Sequence, residues 1–209
     1  MNKFFLILIG IAIIVFGSVI LLYSTPFEIE STPVYDKGFT YYDIEKIQKT
    51  LANKNIFVSA PTAITDHTIN QYCTFFEKGL PRTVEYCTTT AITDIHGNAL
   101  GNINIGGDTN SPVLAISNIE TSTLESNPDE VLAIIEAMIE TLVCDCWEEE
   151  KADDDVESIS AWVDLVHKFY YDSGERGIKS QIDDLGTSKI TLEITPKDNS
   201  ILQTLVILK

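Results

Sequence analysis

The tetrapeptide Cys144-Asp145-Cys146-Trp147 is the place in this chain where residue type and spacing could carry chemistry. Two thiolates this close can hold a soft metal such as Cu(I) or zinc, with Cys73 or Cys87 completing the shell. The C-x2-C pairs of zinc modules are absent, however, and no His stands nearby in sequence. An even count of cysteines in an oxidising location reads instead as two disulfides among Cys73, Cys87, Cys144 and Cys146. A metal site at Cys144 and Cys146 is the lesser reading, and no cofactor is assigned. If both lie on one helix their side chains point about 160° apart, so each is expected to cross to Cys73 or Cys87.

Other candidate chemistry is thinner. Glu148-Glu149-Glu150, Asp153-Asp154-Asp155 and Glu157 place seven acids in ten residues. The D-x-D-x-D-G spacing of a calcium loop is missing, so the run reads as a solvated junction between helices. His167 follows Asp164 by three residues and could pair with it on one helical face. His67 near a helix start and His96 in a turn read as surface residues. Ser158 and Ser160 sit in no G-x-S-x-G elbow, so no catalytic residue is assigned, although a triad dispersed in sequence would leave no local mark. Gly106-Gly107 lacks the phosphate-loop pattern and reads as a turn.

These residues need a scaffold, and its first element is hydrophobic. Residues 4–23 carry no charge and are long enough to cross a bilayer as a helix. The run ends in Val19-Ile20-Leu21-Leu22-Tyr23, without a small-x-small cleavage site, so an uncleaved anchor (1–23) is expected. Lys3 before it and Glu28, Glu30 and Asp36 after it favour a cytoplasmic N-terminus and an extracytoplasmic C-terminal part. Residues 24–38, with Pro26 and Pro33, form a linker, and 39–209 form one domain of normal size. All 31 acids but only 13 of the 14 Lys and Arg lie beyond the anchor, which leaves the external part at −18. Such a surface repels nucleic acid and anionic headgroups.

Within the domain, Thr40 and Asp43 have capping-box spacing before a helix over 40–53 with Ile44, Ile47 and Leu51 on one face. A second helix is expected over 66–78, with Ile69, Tyr72, Cys73, Phe76 and Leu80 at helical spacing. The period then becomes two. Residues 82–95, 100–105 and 112–119 read as a three-strand meander. Asn127, Pro128, Asp129 and Glu130 open a helix whose apolar stripe of Val131, Ile135, Met138, Ile139, Leu142 and Cys146 runs to about Trp147. A further helix over 155–173 and strands at 190–195 and 201–208 close the chain. The pairs Tyr41-Tyr42, Phe75-Phe76 and Tyr170-Tyr171 each place one ring inward and one at the rim.

Runs of strands separated by runs of helices make the fold class α+β: an antiparallel sheet of about five strands packed by about four helices, behind the transmembrane helix. With no assembled catalytic constellation, the expected role is a membrane-tethered, non-enzymatic module acting through protein contacts. Its partners are the bilayer through residues 4–23 and a protein. A small-ligand or metal-ion binding module is the alternative reading, and a hydrolase the third.

Overall fold

The computed structural model describes residues 38–65, 67–77, 80–150 and 156–209. The expected anchor and all of the linker except Gly38 lie outside the described residues. Among the described residues no helix is long and apolar enough to cross a membrane.

The chain enters a 3-10 turn at Tyr41–Asp43 and then α1 (Ile44–Ala52). The Asp43 carboxylate accepts the Thr40 backbone N–H at 2.7 Å and its hydroxyl at 2.9 Å, as the capping spacing requires. Burial alone would raise the Asp43 pKa, but Lys46 and the Thr40 donors outweigh it and hold the carboxyl below its usual range. Ile44, Ile47 and Leu51 are buried, and the chain turns away at Asn55 with a left-handed φ of 61°. Two short strands follow, β1 (Phe57–Val58) and β2 (Thr62–Ala63).

The helix expected over 66–78 shrinks to one turn, α2 (Ile69–Tyr72). Ile69 and Cys73 do pack inward, but Thr74, Phe75 and Phe76 favour extended backbone. They form β3 (Thr74–Glu77), which folds back on β4 (Leu80–Thr83) as a separate two-stranded hairpin. Phe76 and Leu80, counted in the helical stripe, are 67% and 61% exposed.

The meander forms as β5 (Tyr86–Thr93), β6 (Ala99–Gly107) and β7 (Pro112–Thr121). The strand expected to start near Arg82 is thus two strands in different sheets. Next comes α3 (Pro128–Leu142), whose Asn127 stands at the capping position in the left-handed region without a side-chain capping bond. The helix stops short of Trp147, where α4 (Trp147–Glu150) begins after a break. In α5 (Ile159–Asp172) the Ser158 hydroxyl accepts the Ala161 N–H at 3.0 Å. Three strands close the chain rather than two: β8 (Ile178–Leu185), β9 (Ser188–Pro196) and β10 (Ile201–Leu208).

The described residues therefore form an α+β fold with one eight-stranded antiparallel sheet and five helices. Its order is β1-β5-β6-β7-β10-β9-β8, with β2 beside β1 on the outer side of β5. Side chains alternate across a sheet, so each strand serves two faces. Ile103, Ile119, Leu192, Ile194, Leu205 and Ile207 meet α1, α3 and α5 in the main core, together with the fully buried Trp162 and Ile135. The other face carries a small second core in which Leu114 and Ile116 meet Ile69, Cys73 and Val84.

The cysteines pair differently from the sequence expectation. Cys73 bonds Cys87 across 6.3 Å between Cα atoms, and Cys144 bonds Cys146 across 5.1 Å. The opposed directions expected of Cys144 and Cys146 assumed that both sit on one helix. Because α3 ends at Leu142, that premise fails, and extended or turning backbone lets the two sulfurs meet.

Candidate functional site

The sequence-derived candidates do not assemble into a reactive centre. His167 Nε2 lies 2.8 Å from the Oε1 of Gln203, a fully buried residue of β10, rather than beside the exposed Asp164. His67 and His96 are exposed, the latter in a turn organised by Asp94. Ser158 is occupied as a helix cap, and Ser160 lines a small recess beside Cys144, Asp145, Glu136 and Glu140. Burial, Glu136 and Asp145 push the Glu140 carboxyl up. That acidic surrounding opposes a thiolate, and the bonded sulfurs present none to a metal ion. Residues 151–155 of the acidic run lie outside the described residues. Among the described residues no three His, Cys, Asp or Glu side chains converge as a metal site would need.

What the fold does build is a groove of about 1090 Å³ between the start of α1 and the outer edge of the sheet. Tyr86 and Thr88 of β5 form its floor. One wall is Tyr41, Tyr42, Glu45 and Gln48, and the other is Ala60, Pro61 and Ala63. The groove exists because β1 and β2 are two residues long and joined by an irregular segment, which leaves room between the edge and α1. That segment is fixed in place: Gln48 Nε2 donates to the Ser59 carbonyl at 2.7 Å, and Ser59 Oγ accepts the Ala91 N–H at 2.9 Å.

In the aromatic wall Tyr41 is tied down as well. Tyr41 packs edge-on against Tyr86 with ring centroids 5.2 Å apart, and its hydroxyl donates to the Asp108 carbonyl at 2.7 Å. Burial, then Asp108 and Tyr86, push the Tyr41 pKa up to about 12, so it stays a neutral donor. Tyr42, next in sequence, is 79% exposed at the rim.

No family model, curated protein or solved structure matches the chain. The groove's chemistry therefore has to be read from its own residues.

Sequence reasoning saw Tyr41 and Tyr42 as packing residues and missed the groove, since its walls come from two separate segments, 41–48 and 60–63, and its floor from β5. No element was expected over 57–63, a short apolar stretch broken by Pro61, yet it is the sheet's edge.

Proposed function

We propose that this protein is a membrane-anchored, extracytoplasmic binding module that holds an extended segment of a partner protein in the groove beside β2. The observation that carries the reading is the conjunction of that groove with a sheet edge beyond which no strand lies among the described residues. An unpaired edge offers backbone donors and acceptors to an added strand, and pockets beside it select alternate side chains. The Ile64 N–H points inward to Cys87 O, so by strand alternation the N–H and C=O of Ala63 face outward. A partner segment pairing there would lay side chains against Tyr41, Tyr42 and Tyr86. Tyrosines are among the residues that dominate the energetics of recognition surfaces.

The anchor and location rest on the uncharged run at 4–23 and on cysteines paired as disulfides, which persist in oxidising compartments. Deletion of residues 1–35 is expected to release a folded domain into the soluble fraction, read by fractionation and by near-UV circular dichroism of Trp147 and Trp162. A domain that stays with membranes or loses its tertiary signal would refute the anchor.

The groove is tested by placing a photo-crosslinking amino acid at Tyr42 or Ala63 in the full chain in cells, with exposed Glu175 as control. A discrete protein adduct is expected from both groove positions and not from the control. Absence of any adduct at Tyr42 and Ala63, or the same adduct at Glu175, would count against the reading.

A further inference from the structure

The face of the sheet turned away from α1, α3 and α5 carries a row of five hydrogen-bonding side chains, one from each of five adjacent strands. Asn102 of β6 stands opposite Asn118 of β7, Asn118 opposite Thr204 of β10, Thr204 opposite Glu193 of β9, and Glu193 opposite Lys179 of β8. At the usual interstrand spacing the row is about 19 Å long. Its members are half-buried or exposed. Beside it the β3–β4 hairpin region raises Tyr72 and Phe76, 39% and 67% exposed, over a cleft of about 220 Å³ that Asn118, Thr204, Glu193 and Lys179 also line.

We infer that this row is a saccharide-binding surface on which a short, neutral oligosaccharide lies across the strands. The row is pre-ordered: Thr204 Oγ1 donates to Asn118 Oδ1 at 3.1 Å, Asn118 Nδ2 to Asn102 Oδ1 at 3.2 Å, and Asn102 Nδ2 to Asn104 Oδ1 at 3.4 Å. Each amide is held by a neighbour on both sides, which fixes its plane. Asn118 keeps one N–H and one carbonyl lone pair for a ligand, by the inventory of an amide. Within the row Glu193 and Lys179 offset each other in formal charge, and Lys189, which also lines the cleft, lies 4.0 Å from Asp183, so the surface carries no strong preference for a charged ligand. A wholly apolar ligand would strand the row's donors and acceptors, while Ile116, Val206 and Leu208 beside the row in the cleft meet C–H faces. Tyr72 and Phe76 offer flat apolar faces at the side. A ligand rich in hydroxyls, uncharged, apolar on its C–H faces and repeating along a line meets all of these conditions.

This surface lies across the sheet from the groove and does not depend on the partner-segment reading. The test is calorimetric titration of the full chain, in a detergent without sugar headgroups, with cellotetraose, chitotetraose and tetragalacturonate. Cellotetraose or chitotetraose is expected to bind more tightly than the uronate. Asn118→Leu and Tyr72→Ala should each weaken that binding about tenfold, the loss of one good contact. Tyr42→Ala in the groove should leave it unchanged. Because Tyr72 lies outside the main core, its variant keeps the test valid if Asn118→Leu fails to fold. No binding of any of the three up to about 10 mM, binding of the uronate alone, or full affinity in both variants would overturn the assignment.

Discussion

Gly101→Ala is expected to destabilise the domain by about 3 kcal/mol, whereas Gly97→Ala should cost about 1 kcal/mol. The chemical change is the same, and only the surroundings differ. Gly101 sits in β6 opposite Ile119, and a Cβ there would overlap the backbone carbonyl of Asn118 on β7. That carbonyl is part of the ladder in the middle of the sheet, so relief requires moving a strand rather than a side-chain tip. Gly97 occupies the turn between β5 and β6 at φ 81°, and nothing lies within 4 Å of a Cβ built on it. It meets only the backbone penalty of a left-handed residue. For a domain of this size 3 kcal/mol lowers the melting temperature by about 6–12 °C. The chain has two tryptophans, Trp147 and Trp162, both in the domain, so their fluorescence reports its unfolding in full-length protein. Equal midpoint shifts for the two variants would mean that β6 and β7 are not as close at Gly101 as described. Since Asn102 and Asn118 flank the clash, Gly101→Ala should also disturb the amide row.

The elements that sequence alone made legible are those whose pattern is local. The stripe Val131, Ile135, Met138, Ile139, Leu142 identifies α3 because a helix writes its buried face at fixed spacing. The β5–β6–β7 meander is equally plain, since its turns are short and its strands alternate. Where the reading failed, an inward position was polar or a stripe was accidental. The strand β8 was missed because Ser180, on its inward side with Ile178 and Ile182, is polar. Its hydroxyl is taken up by Trp162 Nε1 at 2.9 Å, a partner invisible from the local window. The helix stripe read across 66–78 held for Ile69 and Cys73 and then dissolved, because Thr74, Phe75 and Phe76 favour extended backbone and pair with 80–83. Both proposed surfaces are non-local. Asn102 and Asn118 were readable as the polar side of an alternation, but register across five strands decides that they align with Thr204, Glu193 and Lys179.

Loss of the Cys73–Cys87 bond is expected to weaken the domain by about 3 kcal/mol, and loss of Cys144–Cys146 by about half of that or less. In the chain-entropy account the stabilisation grows with the loop that the bond closes, and the sequence separations are 14 and 2. Packing adds to the difference. Cys73 and Cys87 are both fully buried in the second core, and Cys73 Sγ lies close enough to Gly106 that a side chain there would press on it. Besides the bond, Phe75 of β3 and the flanking Ile69 and Val84 pack on the second core, while Phe76 and Leu80 face solvent. Without the bond the hairpin should open before the sheet unfolds, as a locally less stable unit. The paired variant Cys73→Ala/Cys87→Ala is therefore expected to be cut by protease within 74–83 under conditions where the main core, reported by Trp162, stays intact. Cys144→Ala/Cys146→Ala should show no such cleavage. The same opening would withdraw Tyr72 and Phe76 from beside the amide row, so saccharide binding should fall in the first variant and persist in the second. Equal stability losses, with no hairpin cleavage in either, would mean that Phe75, Ile69 and Val84 hold the hairpin down and that the disulfide is incidental to it.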